Sequence, residues 1–132
     1  MSSAPAVGKV GPILLIEDEP SVIAFLRAAL ERKGYAVENT SSGAEGLQRL
    51  SNGSYGGVIS DIRMPGPVNG VEVHAWIRKN RPELSARIIL ISGDTANSDT
   101  QAFLAQSGTP CIEKPFRVQQ LISVVEKTFG KP

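Results

Sequence analysis

A doubly wound α/β fold with a five-stranded parallel sheet is predicted by three observations. Short apolar runs alternate with stretches of helical spacing almost from end to end. The runs are strand-sized, and strands that alternate with helices form a sheet covered on both faces. Four of the five runs also stop at residues with chemistry: Ile13-Leu14-Leu15-Ile16 at Glu17-Asp18-Glu19, Val58-Ile59-Ser60 at Asp61, Ile88-Ile89-Leu90-Ile91 at Ser92-Gly93, and Cys111-Ile112-Glu113 at Lys114-Pro115-Phe116.

After the first run, Pro20 suits a first helical turn. Val22, Phe25, Leu26, Ala29 and Leu30 then follow at helical spacing, and Gly34 ends that helix. Residues 35–39 form a short second strand, the one run with no chemistry at its end. Ser42 and Glu45 have capping-box spacing and open a second helix through Leu47 and Leu50, closed by Asn52-Gly53. Beyond Asp61 lies a Pro- and Gly-rich loop over 64–70. A third helix follows, with Val73, Trp76 and Ile77 inward, and it ends before Pro82. The fourth strand is expected over 87–91, and a weak fourth helix around 100–106. The last helix carries Val118, Leu121, Ile122 and Val125 as an i, i+3, i+4, i+7 stripe. Right-handed crossovers then leave the flavodoxin-like (βα)5 arrangement with strand order 2-1-3-4-5 as the expected topology.

The 132 residues suffice for one domain with one respectable core. A net charge of +1 and scattered basic residues give no field for direct nucleic-acid binding. The apolar stretches are too short to span a membrane. A single cysteine, Cys111, excludes an internal disulfide, and a cytoplasmic location is expected. Residues 1–11, small and polar with Pro5 and Gly8, are expected to be a flexible tail or linker, and residues 12–130 the domain.

Parallel strands bring their carboxyl ends to one edge, where open α/β sheets bind ligands. Two or three carboxylates, a hydroxyl and an ammonium would converge there, a set suited to a divalent cation and a phosphoryl group. Three adjacent acids at a buried strand end repel one another without a counter-charge. A carboxylate attacks an anionic phosphoryl donor only where positive charge offsets the repulsion.

Glu17-Asp18, Asp61 with Met64-Pro65-Gly66, Ser92-Gly93 and Lys114-Pro115-Phe116 together resemble the receiver domain of two-component response regulators, from about Pro12 to Phe129. The resemblance implies that Asp61 accepts a phosphoryl group from a histidine kinase or histidine phosphotransfer protein with Mg²⁺ bound. It implies that Asp18 ligates the metal directly and Glu17 through water. Asp61 and the backbone carbonyl of Arg63 complete that set. Ser92 is implied to bond the phosphoryl oxygens, and Lys114 to pair with Asp61 and later with the phosphate. A surface then changes for a downstream partner that the sequence does not name. The domain is implied to be a switch, monomeric or weakly dimeric, that assists its own phosphorylation and dephosphorylation.

Two departures from that pattern stand out. Cys111 occupies a place often held by an aromatic ring that turns inward on activation, so the conformational signal is expected to pass through the loop after Ser92. The 64–70 loop is about one residue longer than the commonest form of that pattern. Arg63 and Asp94 flank the approach of water and are expected to pair and slow hydrolysis.

Other readings predict different things. A receiver module of a hybrid histidine kinase would have the same site. An aspartate-nucleophile phosphatase usually carries an acid two residues after its nucleophile, where this chain has Arg63. A flavin-phosphate binder is opposed by Glu17-Asp18-Glu19. His74 is expected on the surface, Cys111 and Trp76 in the core, and Val124 on a partner surface.

Overall fold

A computed structural model describes residues 10–64 and 66–132. The expected tail over 1–11 lies outside the described residues except for Val10 and Gly11, as does Pro65 in the loop after Asp61. Val10, inside the expected tail, is half-buried against the core.

The elements run β1 (Ile13–Ile16), α1 (Pro20–Arg32), β2 (Val37–Thr40), α2 (Gly43–Asn52), β3 (Gly57–Asp61), α3 (Gly70–Asn80), a 3-10 turn (Pro82–Leu84), β4 (Ile88–Ser92), α4 (Ser98–Ser107), β5 (Cys111–Glu113) and α5 (Val118–Phe129). All strands are parallel, in the order β2-β1-β3-β4-β5. This is the predicted topology.

Strand alternation sorts the core into two layers. Ile13, Leu15, Ile59, Ile89 and Ile91 pack with Leu26 and Leu30 of α1 and Leu121, Val125 and Phe129 of α5. Leu14, Ile16, Val58, Ile88 and Leu90 face the other way, against Leu50 of α2 and Val73 and Ile77 of α3. The apolar stripe of α5 is thus Leu121, Val125 and Phe129, while Val118 is 46% exposed at its open end. Val124, expected on a partner surface, instead packs half-buried against the first layer.

Helix ends explain the boundary differences. The expected second strand starts two residues late, because Tyr35 still donates its backbone N–H to Leu30 of α1 and its hydroxyl to the Gly130 carbonyl at 2.6 Å. Gly34 precedes it with φ +101°, where a side chain would be strained. In α2 the capping box is half present: Ser42 accepts from the Glu45 N–H, but Glu45 turns back to the Ser41 N–H. The full capping box is Asn69 with Glu72 at the start of α3. Asn97 caps α4 through the Asp99 and Thr100 N–H groups, which starts that helix earlier than its weak apolar pattern suggested.

His74 corrects the surface expectation. It is 5% exposed, its Nε2 shares a 2.8 Å hydrogen bond with the Thr109 hydroxyl, and its ring meets Phe103 edge-on at 5.2 Å. Burial, followed by the charge of Arg78, holds its pKa below the usual imidazole value. The side chain bridges α3 to α4 and to the turn before β5. Helical spacing beside Val73 and Ile77 could not reveal this, because the partners are some 30 residues away in sequence.

Candidate functional site

The sheet register sets the site. Ile16 lies level with Ser60, Asp61 with Ile91, and Ser92 with Glu113. One rung further, Glu17 donates its N–H to Thr40, Ile62 to Ile91 and Lys114 to Ser92. Glu17, Asp61, Ser92 and Lys114 therefore leave the sheet along one edge. Gly70 lets α3 begin directly against this edge: a Cβ there would stand 2.5 Å from the Asp61 carbonyl oxygen.

Lys114 organises the charges. Its Nζ lies 2.6 Å from Asp61 Oδ2, 3.6 Å from Glu17 Oε1 and 3.4 Å from Glu19 Oε1. Asp61 is buried, and its Oδ1 accepts the Arg63 N–H at 3.1 Å. One ammonium thus faces three acids, two of them buried. Burial disfavours the Lys114 charge, but the hydrogen bond and charge of Asp61, followed by Glu17, outweigh it and raise the ammonium's pKa.

Glu17 is 0% exposed. Its Oε2 accepts the Asp18 and Glu19 N–H groups at 3.2 and 3.0 Å, whereas Oε1 is buried without a hydrogen-bond partner. Desolvation pushes its pKa up to about 7. The Glu19 N–H and the Lys114 charge act against that rise, and the nearby Asp61 charge adds to it. Asp18, in the same turn, is exposed.

Ser92 is buried at the end of β4 with its hydroxyl accepting the Asp94 N–H at 3.1 Å. Arg63 and Asp94 pair across the mouth at 3.6 Å, with side chains 66% and 50% exposed, as their flanking positions led one to expect. Beside Lys114 an open cleft of about 440 Å³ runs between Val22 and Phe25 of α1 and Pro115 and Phe116. Cys111 is half-buried; burial, with the charges of Glu113 and Asp61, pushes its thiol up to about 11, so it has little thiolate character.

The residues fit a hard divalent cation, which takes oxygen donors. Glu17 Oε1 is such a donor, buried without a hydrogen bond and 3.6 Å from the Lys114 ammonium. Among the described residues no group of three or more His, Cys, Asp or Glu side chains is already gathered as a metal cage. Lys114 instead occupies the centre of the acids.

Sequence reasoning missed two contributors. Glu19 was placed with its neighbours but not with Lys114. Asn39 was passed over at the end of β2, although its side-chain amide reaches the carbonyls of Leu15 at 3.1 Å, Thr40 at 3.0 Å and Glu17 at 3.5 Å. A polar amide beside an acidic strand end is its only trace in the sequence.

Residues 13–126 match the family described as the response regulator receiver domain. The chain belongs to that family. Among curated relatives, the uncharacterized transcriptional regulatory protein YkoG of Bacillus subtilis is 31% identical over 113 residues, which are 86% of this chain and 48% of YkoG. The chain spans about half the length of the curated relatives it matches. Its fold is similar to a CheY-like receiver domain protein from Methanospirillum hungatei, with TM-score 0.81 and 24% identity over 92% of this chain and 94% of that one. It is also similar to the response regulator TrrA of Thermotoga maritima, solved in complex with Mg²⁺-BeF. There the TM-score is 0.77 and the identity 32%, over 90% of this chain and 99% of the other. Among the described residues no helix is long and apolar enough to cross a membrane.

Proposed function

We propose that this receiver accepts a phosphoryl group on Asp61 from a histidine kinase or a histidine phosphotransfer protein. The observation that carries the reading is the 2.6 Å contact between the Lys114 ammonium and Asp61 Oδ2, in a site where a second buried acid keeps an oxygen that makes no hydrogen bond. The ammonium sets positive charge against the buried Asp61 carboxylate, where it would offset the repulsion of an anionic phosphoryl donor. Attack forms the Asp61–phosphorus bond and releases the donor's leaving group, giving an acyl phosphate.

Glu17, Asp18, Asp61 and the Arg63 carbonyl are the residues that would hold Mg²⁺. When bound, the metal supplies positive charge against the phosphoryl oxygens. Lys114 would shift from Asp61 to the phosphoryl group. Ser92, whose oxygen accepts the Asp94 N–H, would donate its hydroxyl proton to a phosphoryl oxygen and so carry the change into the loop after β4. A protein partner reads the altered surface. TrrA, solved with Mg²⁺-BeF, is the relative that supports the cation. The relatives named as transcriptional regulatory proteins are about twice the length of this chain.

The test is incubation of the purified chain with acetyl phosphate, with and without Mg²⁺, followed by intact mass beside Asp61→Asn. A Mg²⁺-dependent phosphoryl adduct absent from the variant is expected. An adduct that persists in Asp61→Asn, or that forms equally without Mg²⁺, overturns the assignment.

A further inference from the structure

We infer that Asn39 is a positioning residue for the cation-binding acids, an inference that rests on the functional reading above. The backbone and side chain of Glu17 are held on nearly every side. Its N–H donates to the Thr40 carbonyl at 3.0 Å, and its Oε2 is fixed by the Asp18 and Glu19 N–H groups. Its carbonyl is met by the Asn39 side-chain amide at 3.5 Å. Oε1 alone is left without a hydrogen bond.

The last paired rung between β1 and β2 is Ile16 with Thr40. Beyond it, the Glu17 N–H to Thr40 bond and the Asn39 amide are what tie the departing chain to β2. An amide has two N–H donors, so three carbonyls share them, and the Leu15 and Thr40 contacts anchor the group while it reaches Glu17. The peptide held in this way joins Glu17 to Asp18. Asn39 thereby sets the orientation in which both acids leave the sheet. Asparagine is a poor strand former, and a strand-favouring residue such as Val would pack at this edge without donating to any of these carbonyls. β2 thus has a part in the site through its end.

Asn39→Leu fills the same space without donors, and Asn39→Asp keeps the shape without N–H groups. Both are measured in the full chain by calorimetric Mg²⁺ titration, by acetyl-phosphate labelling across Mg²⁺ concentrations, and by thermal unfolding in EDTA. The apparent Mg²⁺ Kd is expected to rise about tenfold, the usual scale for a residue that orients a metal ligand from behind. Labelling at saturating Mg²⁺ is expected to return close to the wild-type rate. An unchanged Kd overturns the inference. So does a rate depressed equally at all Mg²⁺ concentrations, and so does failure of both variants to fold, since each marks a merely structural residue. A wild-type chain that binds no Mg²⁺ overturns the functional reading itself, and the positioning role falls with it.

Discussion

The two flanks of the site are held in different ways. On the β1–β2 side, Glu17 is fully buried, both its peptide groups are tied to β2, and the strands behind it lie in both core layers. On the β4–α4 side, the loop after Ser92 is largely exposed and α4 buries a single residue, Thr100. Phe103 and Leu104 of α4 are only half-buried against the second layer. Free energies of local opening follow buried contact and protected hydrogen bonds. The acids are therefore on the flank that resists movement, and the hydroxyl of Ser92 is on the flank that yields. Under the proposed function, such a division would let one site grip a cation and still change shape. It would also give a route for a signal that needs no aromatic ring at Cys111.

The largest expected effect strikes the charge that joins the flanks. Lys114→Met leaves Asp61 and Glu17 buried without their counter-charge, and breaking a buried pair in this way costs about 3 kcal/mol. Urea unfolding at pH 7 should show that loss, and phosphoryl labelling should fall sharply in the same variant. A variant as stable as wild type would mean that Lys114 does not hold the acids in place, which would break the comparison at its centre.

His74 sharpens it, because it is the clasp on the yielding side. His74→Leu loses the Thr109 hydrogen bond and the edge-on contact with Phe103, and should cost about 1–2 kcal/mol. Hydrogen exchange should speed up in α4 well before β1. Equal acceleration in both would show that the flanks open as one unit.

A pH series tests the same clasp. Because the folded pKa of His74 lies below the ordinary 6.5, the unfolded chain binds more protons than the folded one in the window just below that value. Its contribution to stability is complete above pH 6.5 and is lost as pH falls through the folded pKa. Glu17, whose raised pKa acts with the opposite sign, is common to both proteins. On going from pH 7.5 to 5.5, the urea midpoint of His74→Gln should therefore rise relative to that of the wild type. An identical difference in the two proteins would place the pH dependence elsewhere.

The smallest effect on stability belongs to Arg63 and Asp94. Their pair is exposed, so Arg63→Ala or Asp94→Ala should change stability by less than about 0.5 kcal/mol. Each should nevertheless shorten the lifetime of the phosphorylated form by opening the path for water. An unchanged lifetime in both variants would remove the pair from that role.

What the sequence made legible was whatever repeats along the chain or ends a strand. Strand order, the five helices and the convergence of Glu17, Asp61 and Lys114 follow from period, crossover hand and strand ends. Residues whose partners are far away in sequence were not legible. His74 looks like one more polar residue on α3 until Thr109 and Phe103 arrive from elsewhere in the chain. Asn39 closes an apparently inert strand, and its importance comes from carbonyls on β1. Local capping chemistry was readable in kind but misjudged in place, as Ser42 and Asn69 show. The actual capping box lay at Asn69-Glu72, in the loop whose prolines and glycines drew attention first.

The division of the site into a fixed and a yielding flank is tested most directly by hydrogen exchange of the chain before and after phosphorylation by acetyl phosphate in Mg²⁺. Exchange is expected to change across residues 92–107 and to stay the same across 13–17 and 37–40. A change of equal size on both flanks, or none after residue 92 in a chain whose mass shows the Asp61 adduct, would contradict it.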